Sequence, residues 1–179
     1  SVTPSPDMTE AADASSQVLS ESGTVSFDDV DGSDTVDISS SFNNDMAWSS
    51  GDAVPGAAAT ALSGGFSASV VGADAPGSIA WNYDVASVDL DFLAEGESLT
   101  FSYTVTASDG NGGSATDTIT FTVNGSNDGP AALDVSASVS EDGPTLTTIT
   151  ADFSDLDLND SHTFTVDDTL TSGTVVNNG

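Results

Sequence analysis

The sequence contains no lysine, no arginine and no cysteine, and a single histidine, His162, among 179 residues. Set against 29 acidic side chains, these absences leave a formal net charge of −29. Nucleic-acid binding requires Lys and Arg to displace phosphate counterions, so it is excluded. Anionic membranes are excluded for the same reason. Phosphoryl transfer and most anion-binding chemistry lose the Arg clamp or P-loop Lys on which they depend. Without cysteine there are no disulfides, no thiolate catalysis and no Cys-based zinc site, so stability has to come from the core or from bound metal. No stretch approaches the ~18–20 apolar residues of a membrane span. No charged-then-apolar signal segment follows Ser1, so the sequence reads as a mature chain or as an excerpt of a longer one. Cations are the partners that remain.

The acidic side chains are unevenly chosen: 24 are Asp and 5 are Glu. Asp is short, favours turns and suits oxygen-ligand loops for hard cations. The apolar share, 37%, suffices for a core, although a charge of one sign resists compaction unless counter-ions help.

The local patterns are those of β-structure. Residues 1–16 (SVTPSPDMTEAADASS) have little apolar periodicity and read as a tail or linker. TVSF at 24–27 and TVDI at 35–38 alternate on either side of a dense acidic loop, DDVDGSD. Residues 53–62 (AVPGAAATAL) allow a helical turn or two, and their Pro and Gly prevent more. In SIAWNYDV at 78–85, Ile79, Trp81 and Tyr83 share one face. The clearest strand, residues 99–107, sets Leu99, Phe101, Tyr103 and Val105 against Thr100, Ser102, Thr104 and Thr106. The turn SDGNGG follows, then a partner strand with Ile119, Phe121 and Val123 inward, which predicts a β-hairpin. Many short strands with no long helical pattern indicate an all-β sandwich.

An internal repeat sets the domain organisation. FDDVDGSDT at 27–35 lines up with FSDLDLNDS at 153–161, so that Asp29, Asp31 and Asp34 fall on Asp155, Asp157 and Asp160. Upstream, LSE ending at Glu21 matches VSE ending at Glu141. A period near 120 residues is too long for a solenoid and fits tandem sandwiches. The expected organisation is a tail at 1–16, a first sandwich at 17–126, a linker at 127–133 and a partial second repeat at 134–179. The second part is too short to bury a core of its own, so it is either truncated or completed by a partner chain.

The repeated motif has the chemistry of a calcium ligand set. Calcium takes 6–8 oxygens, and D-x-D spacing lets alternate side chains converge on one ion. Asp29, Asp31 and Asp34 lie within six residues. The second copy is richer, with oxygen donors at Asp155, Asp157, Asn159 and Asp160. Neither is an EF-hand, because the sixth position is Asp rather than Gly and position 12 is Ser40 or Val166. A solvated acidic turn is the alternative. Repetition of the motif in a chain with no basic side chain to neutralise it favours metal.

From Ser20 to Pro130 the chain resembles the VCBS-type repeats of large secreted bacterial proteins, often RTX-type adhesins. The pieces that carry the resemblance are SESGTVSFDDVD, AWSSGDA, ALSGGFSA, SIAWNYDV, the run LDFLAEGESLTFSYTVTASDGNGGSATDTITFTVNGSNDGP, and the restart VSEDGP. The resemblance implies an immunoglobulin- or cadherin-like β-sandwich in tandem, extracellular, with calcium at or near the linkers. By the cadherin-like pattern, the junction ligands would be Asn127, Asp128, Glu141, Asp155 and Asp157, with Asp109 an addition from the hairpin turn. Glu21, Asp29 and Asp31 would serve a preceding junction. The NDGP linker departs from the longer acidic run of true cadherins.

Other motifs have duller readings. GNGG at 110–113 with Asp117 is similar to a single RTX calcium nonapeptide, but it sits in a hairpin turn and such repeats must stack. Trp81 and Tyr83 read as core, whereas Trp48 in a Ser/Gly-rich segment is the residue a carbohydrate-binding module would use. His162 reads as a strand-surface residue without a nucleophile motif beside it. Paired carboxylates are too abundant for any pair to mark a glycosidase, so no enzyme active site is expected. The resulting expectation is a calcium-binding extracellular repeat that contacts neighbouring repeats and stiffens an adhesin. Its alternatives are a subunit of a calcium-dependent self-assembling filament, sheath or surface layer, and a carbohydrate-binding module.

Overall fold

The computed structural model describes residues 5–28, 35–71, 77–138, 142, 148–150, 152–166 and 169. In chain order the elements are β1 (Asp7–Thr9), β2 (Gln17–Phe27), β3 (Asp37–Phe42), β4 (Ala47–Trp48), α1 (Gly56–Ser63), β5 (Phe66–Val71), β6 (Gly77–Val88), β7 (Ser98–Ser108), β8 (Ser114–Asn124), β9 (Ala131–Leu133) and β10 (Asp152–Ser154). Among the described residues the protein is all-β with one short helix, as the alternating runs predict.

Two sheets face one another. One has the order β1-β8-β7-β3, with β4 also on β7, and the other has the order β2-β6-β5. The predicted hairpin is β7–β8, in register from Ser98↔Asn124 to Ser108↔Ser114. Leu99, Phe101, Tyr103, Val105, Ile119, Phe121 and Val123 are all buried on its inner face. Across the gap stand Leu19, Val25, Ile79, Trp81, Tyr83, Val85 and Val88. Period-2 alternation places each of these inward except Val88, which a register irregularity after Val85 turns to the core. The directly opposed Phe101 and Phe121 stack with centroids 5.4 Å apart, and Tyr83 lies 4.5 Å from Phe121. Helix α1 spans eight residues, about the two turns that its Ala run allowed. It seals one side of the core: the Tyr83 and Tyr103 hydroxyls both donate to the Leu62 carbonyl, at 3.0 and 2.8 Å.

Two expected boundaries are corrected. The segment read as a tail contains β1, which runs parallel to β8 with Asp7↔Thr122 to Thr9↔Asn124. Short alternation over three residues is too weak a signal to read, and the partner strand lies more than a hundred residues away. The linker also ends sooner than expected, because Ala131–Leu133 pairs antiparallel with Asp152–Ser154.

The strand directions give the first sandwich two ends. β8 runs from the hairpin turn at Ser114 to Asn124, where the chain leaves towards the second copy. The expected ligands Asp29, Asp31 and Asp34 lie outside the described residues, as does Glu141. Their neighbours Phe27 and Asp37 are at the hairpin-turn end, since Asp37 pairs with Ser108. The other end carries the site.

Candidate metal centre

Four segments converge at the exit end of the first sandwich. β1 delivers Glu10, whose N–H donates to the Asn124 carbonyl at 2.8 Å. One carboxylate oxygen, Oε2, accepts from the Ser126 N–H and hydroxyl at 2.8 and 3.0 Å. Next, the stretch at 89–97 following β6 is anchored by Leu90, Phe92, Leu93 and Ala94, all buried, which carries Asp91 to 4% exposure between them. The Asp91 N–H is held by Asp89 Oδ1 at 3.2 Å. Third, the chain leaves β8 through Gly125, where a Cβ would stand 2.3 and 2.4 Å from the Leu93 and Ala94 carbonyl oxygens. Only glycine can pass there, and the passage sets down Asp128 fully buried three residues later. Fourth, the loop after β10 brings Asp157, 3% exposed, whose Oδ2 accepts the Asp128 N–H at 2.8 Å.

What these carboxylates lack is as informative as what they hold. Glu10 Oε1, both oxygens of Asp91, Asp128 Oδ2 and Asp157 Oδ1 are buried and accept no hydrogen bond among the described residues. Donor oxygens of Glu10, Asp91 and Asp128 all lie within 4.8 Å of one another. Asp13 joins from the edge, in the left-handed region at φ 56. Its N–H donates to Asp128 Oδ1, and its Oδ1 accepts from the Gly129 N–H at 3.3 Å.

Burial of like charges disturbs protonation. Desolvation, the largest cause, holds the carboxyls of Glu10, Asp91 and Asp157 above the usual carboxylate range, reinforced in each by the nearby charge of Asp128. The Ser126 hydrogen bonds oppose the rise in Glu10, and the Asp128 N–H opposes it in Asp157. Buried carboxylates are normally paired with a base or a metal; this chain has no Lys or Arg, and its one histidine stands against Asp155 rather than in this cluster. The four orphaned oxygens of Glu10, Asp91 and Asp128 suit a hard, oxygen-preferring cation, which takes 6–8 such donors with water making up the rest. The cluster can hold a metal ion.

A second group lies beside the first on the same loop, where donor atoms of Asp155, Asp160 and His162 are within 4.8 Å of one another. The loop itself is shaped by Asp155 Oδ1, which accepts the Asp157 N–H at 3.0 Å. It is tied back to the first sandwich by Asn159 Nδ2 donating to Glu97 Oε1 at 3.0 Å. Glu97 Oε2 in turn accepts the Trp48 indole N–H at 2.8 Å.

Of the expected ligands, Asp128 belongs to the first cluster, Asp157 touches it through the Asp128 N–H, and Asp155 and Asp160 fall in the second. Asn127 is exposed and donates to the Asp128 carbonyl at 2.8 Å, while Asn159 serves the Glu97 contact. Asp109 does not come to the junction. It stands at the opposite end of the β7–β8 hairpin, where Oδ1 accepts the N–H groups of Asn111 and Gly113 at 2.8 and 2.9 Å. Its carboxylate stabilises a turn that also needs Gly110 and Gly112 at φ 74 and 109. Glu21 is opposite Tyr83 in the middle of β2, away from both ends. Trp48 is 5% exposed and packs edge-on against Phe92 at 4.9 Å, so it offers no face to a sugar. His162 is off the strands, 3.5 Å from Asp155 Oδ2.

Glu10, Asp13, Asp89 and Asp91 were not anticipated as ligands. Asp89-Leu-Asp91 has the D-x-D spacing that singled out the acidic loops, and that signal was available. Glu10 had no such signal, because only the pairing of β1 with β8 brings it to the site. No family model, curated protein or solved structure matches the chain.

Proposed function

We propose that the chain is a calcium-binding structural repeat of an extracellular bacterial surface adhesin, in which the ion ties one sandwich to the next. The observation that carries this reading is the set of orphaned, buried carboxylate oxygens on Glu10, Asp91, Asp128 and Asp157. Donors of Glu10, Asp91 and Asp128, from the start of the first sandwich, its 89–97 stretch and the linker, would share one ion, and Asp157 of the second copy's loop is tied to that ion's ligands through the Asp128 N–H. An all-oxygen set suits calcium, and extracellular modules hold it with Kd ~10⁻⁴–10⁻³ M. The role is mechanical. Without the ion, the carboxylates repel and the junction flexes; with it, the loops are held together and the array stiffens. The repeat of the motif at 29–34, between β2 and β3 in the sequence, extends the same logic to a preceding module.

The test is a calcium titration of chelator-treated protein, following the thermal midpoint and the scattering radius together. An ion at about ten times its Kd adds roughly 1.4 kcal/mol, so the midpoint rises at millimolar calcium and not with magnesium or matched sodium. If all salts act alike, the acids are a screened surface and the proposal falls.

A second reading is a subunit of a calcium-dependent extracellular assembly. It is favoured by Leu133, Val135, Ile149, Leu158, Phe164 and Val166, which are 47–65% exposed in the second copy. Concentration-dependent polymers in calcium would support it over a monomeric spacer.

A further inference from the structure

We propose that Asp155, Asp160 and His162 form a second, chemically distinct site that takes a borderline first-row divalent ion of the zinc type. The proposal does not rest on the calcium reading, since none of its donors is among Glu10, Asp91, Asp128 and Asp157.

The argument begins with the imidazole. Calcium and magnesium are bound almost wholly by oxygen, whereas imidazole nitrogen suits zinc and its neighbours. The only histidine in the chain stands where its Nε2 is 3.5 Å from Asp155 Oδ2. That separation is too long for a good hydrogen bond. It fits two ligands of one ion, because Zn–N and Zn–O bonds of about 2.1 Å at a tetrahedral angle put N and O roughly 3.4 Å apart.

Burial is the second, independent observation. The Asp155 side chain is 4% exposed, and its Oδ2 accepts no hydrogen bond among the described residues. Its other oxygen is committed to the Asp157 N–H, so Oδ2 is a fixed, dry donor aimed at the imidazole. The ring is held in turn by Phe153, edge-on at 4.8 Å and 81°. Asp160 completes the triangle from the solvent side, its N–H turned to the Asp157 carbonyl at 3.4 Å. Two oxygens and one nitrogen with an open side make three protein ligands and a position for water.

A single imidazole makes the test direct. In the intact 179-residue protein, saturated with calcium, the ring C–H resonances of His162 are followed by NMR as zinc is added. We expect them to move to one new set at a single equivalent of zinc, and to ignore further calcium or magnesium. Calorimetry of His162→Gln and Asp160→Asn should show zinc affinity weakened at least about tenfold, with the calcium-induced rise in thermal midpoint unchanged. Imidazole signals that zinc leaves unmoved would overturn the proposal, as would zinc binding to His162→Gln as tight as to the wild type. Either result would leave an Asp155–His162 ion pair only. If calcium itself proves inert, the zinc titration reads out unaltered.

Discussion

A carboxylate such as Asp91, with both oxygens buried and unpaired, costs on the order of several kcal/mol when ionised without a counter-charge. The cost has a pH signature. Burial raises the folded-state pKa of Glu10, Asp91 and Asp157, so the folded chain binds more protons than the unfolded one above about pH 4. Stability of the metal-free protein must therefore fall as pH rises through the raised values. We expect its thermal midpoint in chelator to drop as pH rises above the ordinary carboxylate range, and saturating calcium to remove most of that drop. Asp91→Asn sharpens the test, since it deletes a buried charge while keeping the shape. At neutral pH it should stabilise the metal-free protein by about 1–3 kcal/mol and lose the calcium gain, as urea unfolding with and without calcium will show. A metal-free Asp91→Asn protein weaker than wild type would mean that the carboxylate already has a partner.

At the scale of elements, two glycines carry the architecture for different reasons. Gly23 in β2 lies under the Trp81 indole, where a Cβ would approach Cζ2 to 2.5 Å. The ring cannot yield, because Phe66 stacks on it at 6.2 Å and Phe121 meets it edge-on at 5.7 Å. Gly23→Ala should cost about 1–3 kcal/mol by equilibrium unfolding, with the calcium response intact. Gly125 instead closes the exit of β8 against backbone carbonyls, which cannot rotate away. Gly125→Ala displaces the linker that carries Asp128, so its larger signature is loss of the calcium-induced midpoint shift. Equal calcium responses in Gly125→Ala and wild type would separate the linker path from the site.

On the scale of the whole molecule, both acidic groups lie where the loop after β10 meets the first sandwich. The loop after β10 reaches the first sandwich through Asp157 to the Asp128 N–H and through Asn159 to Glu97. These two hydrogen bonds alone are worth a few kcal/mol at most, so on the proposed reading they set an orientation and a bound ion would supply the rigidity. Asp155→Ala with Asp157→Ala should enlarge the scattering radius in calcium while the first sandwich keeps its near-ultraviolet signal, since no residue of its core is touched. A radius that responds to calcium as in wild type would show the junction held by other means. No helix among the described residues is long and apolar enough to cross a membrane.

Period-2 alternation is local, so the inner faces of β6, β7 and β8 were legible residue by residue, as was the hairpin with its Gly/Asn/Asp turn. The repeated acidic motif was visible too, whereas the contact of Asp128 with Asp157 was expected only from the resemblance to cadherin-like repeats. The absence of Lys and Arg also determined, before any fold, that a buried acid here has at most one histidine within the chain to pair with, and otherwise stays protonated or takes a cation from outside. What spacing does not encode is which chain ends meet. Tertiary structure decided that Glu10 from an apparent tail lies beside Asp91 and Asp128, because β1 pairs with a strand far along the chain. It decided equally that Asp109 caps a turn at the wrong end, since the length of a β-hairpin separates residues that look interchangeable by type. It put Trp48 inside, where Phe92 covers its face and Glu97 takes its N–H. It also set the lone His162 against a dry Asp155 oxygen, through a loop closed by hydrogen bonds rather than by any periodic pattern. Local pattern decides which side of a strand faces the core, and long-range strand pairing decides which carboxylates share a space too small to leave them uncompensated.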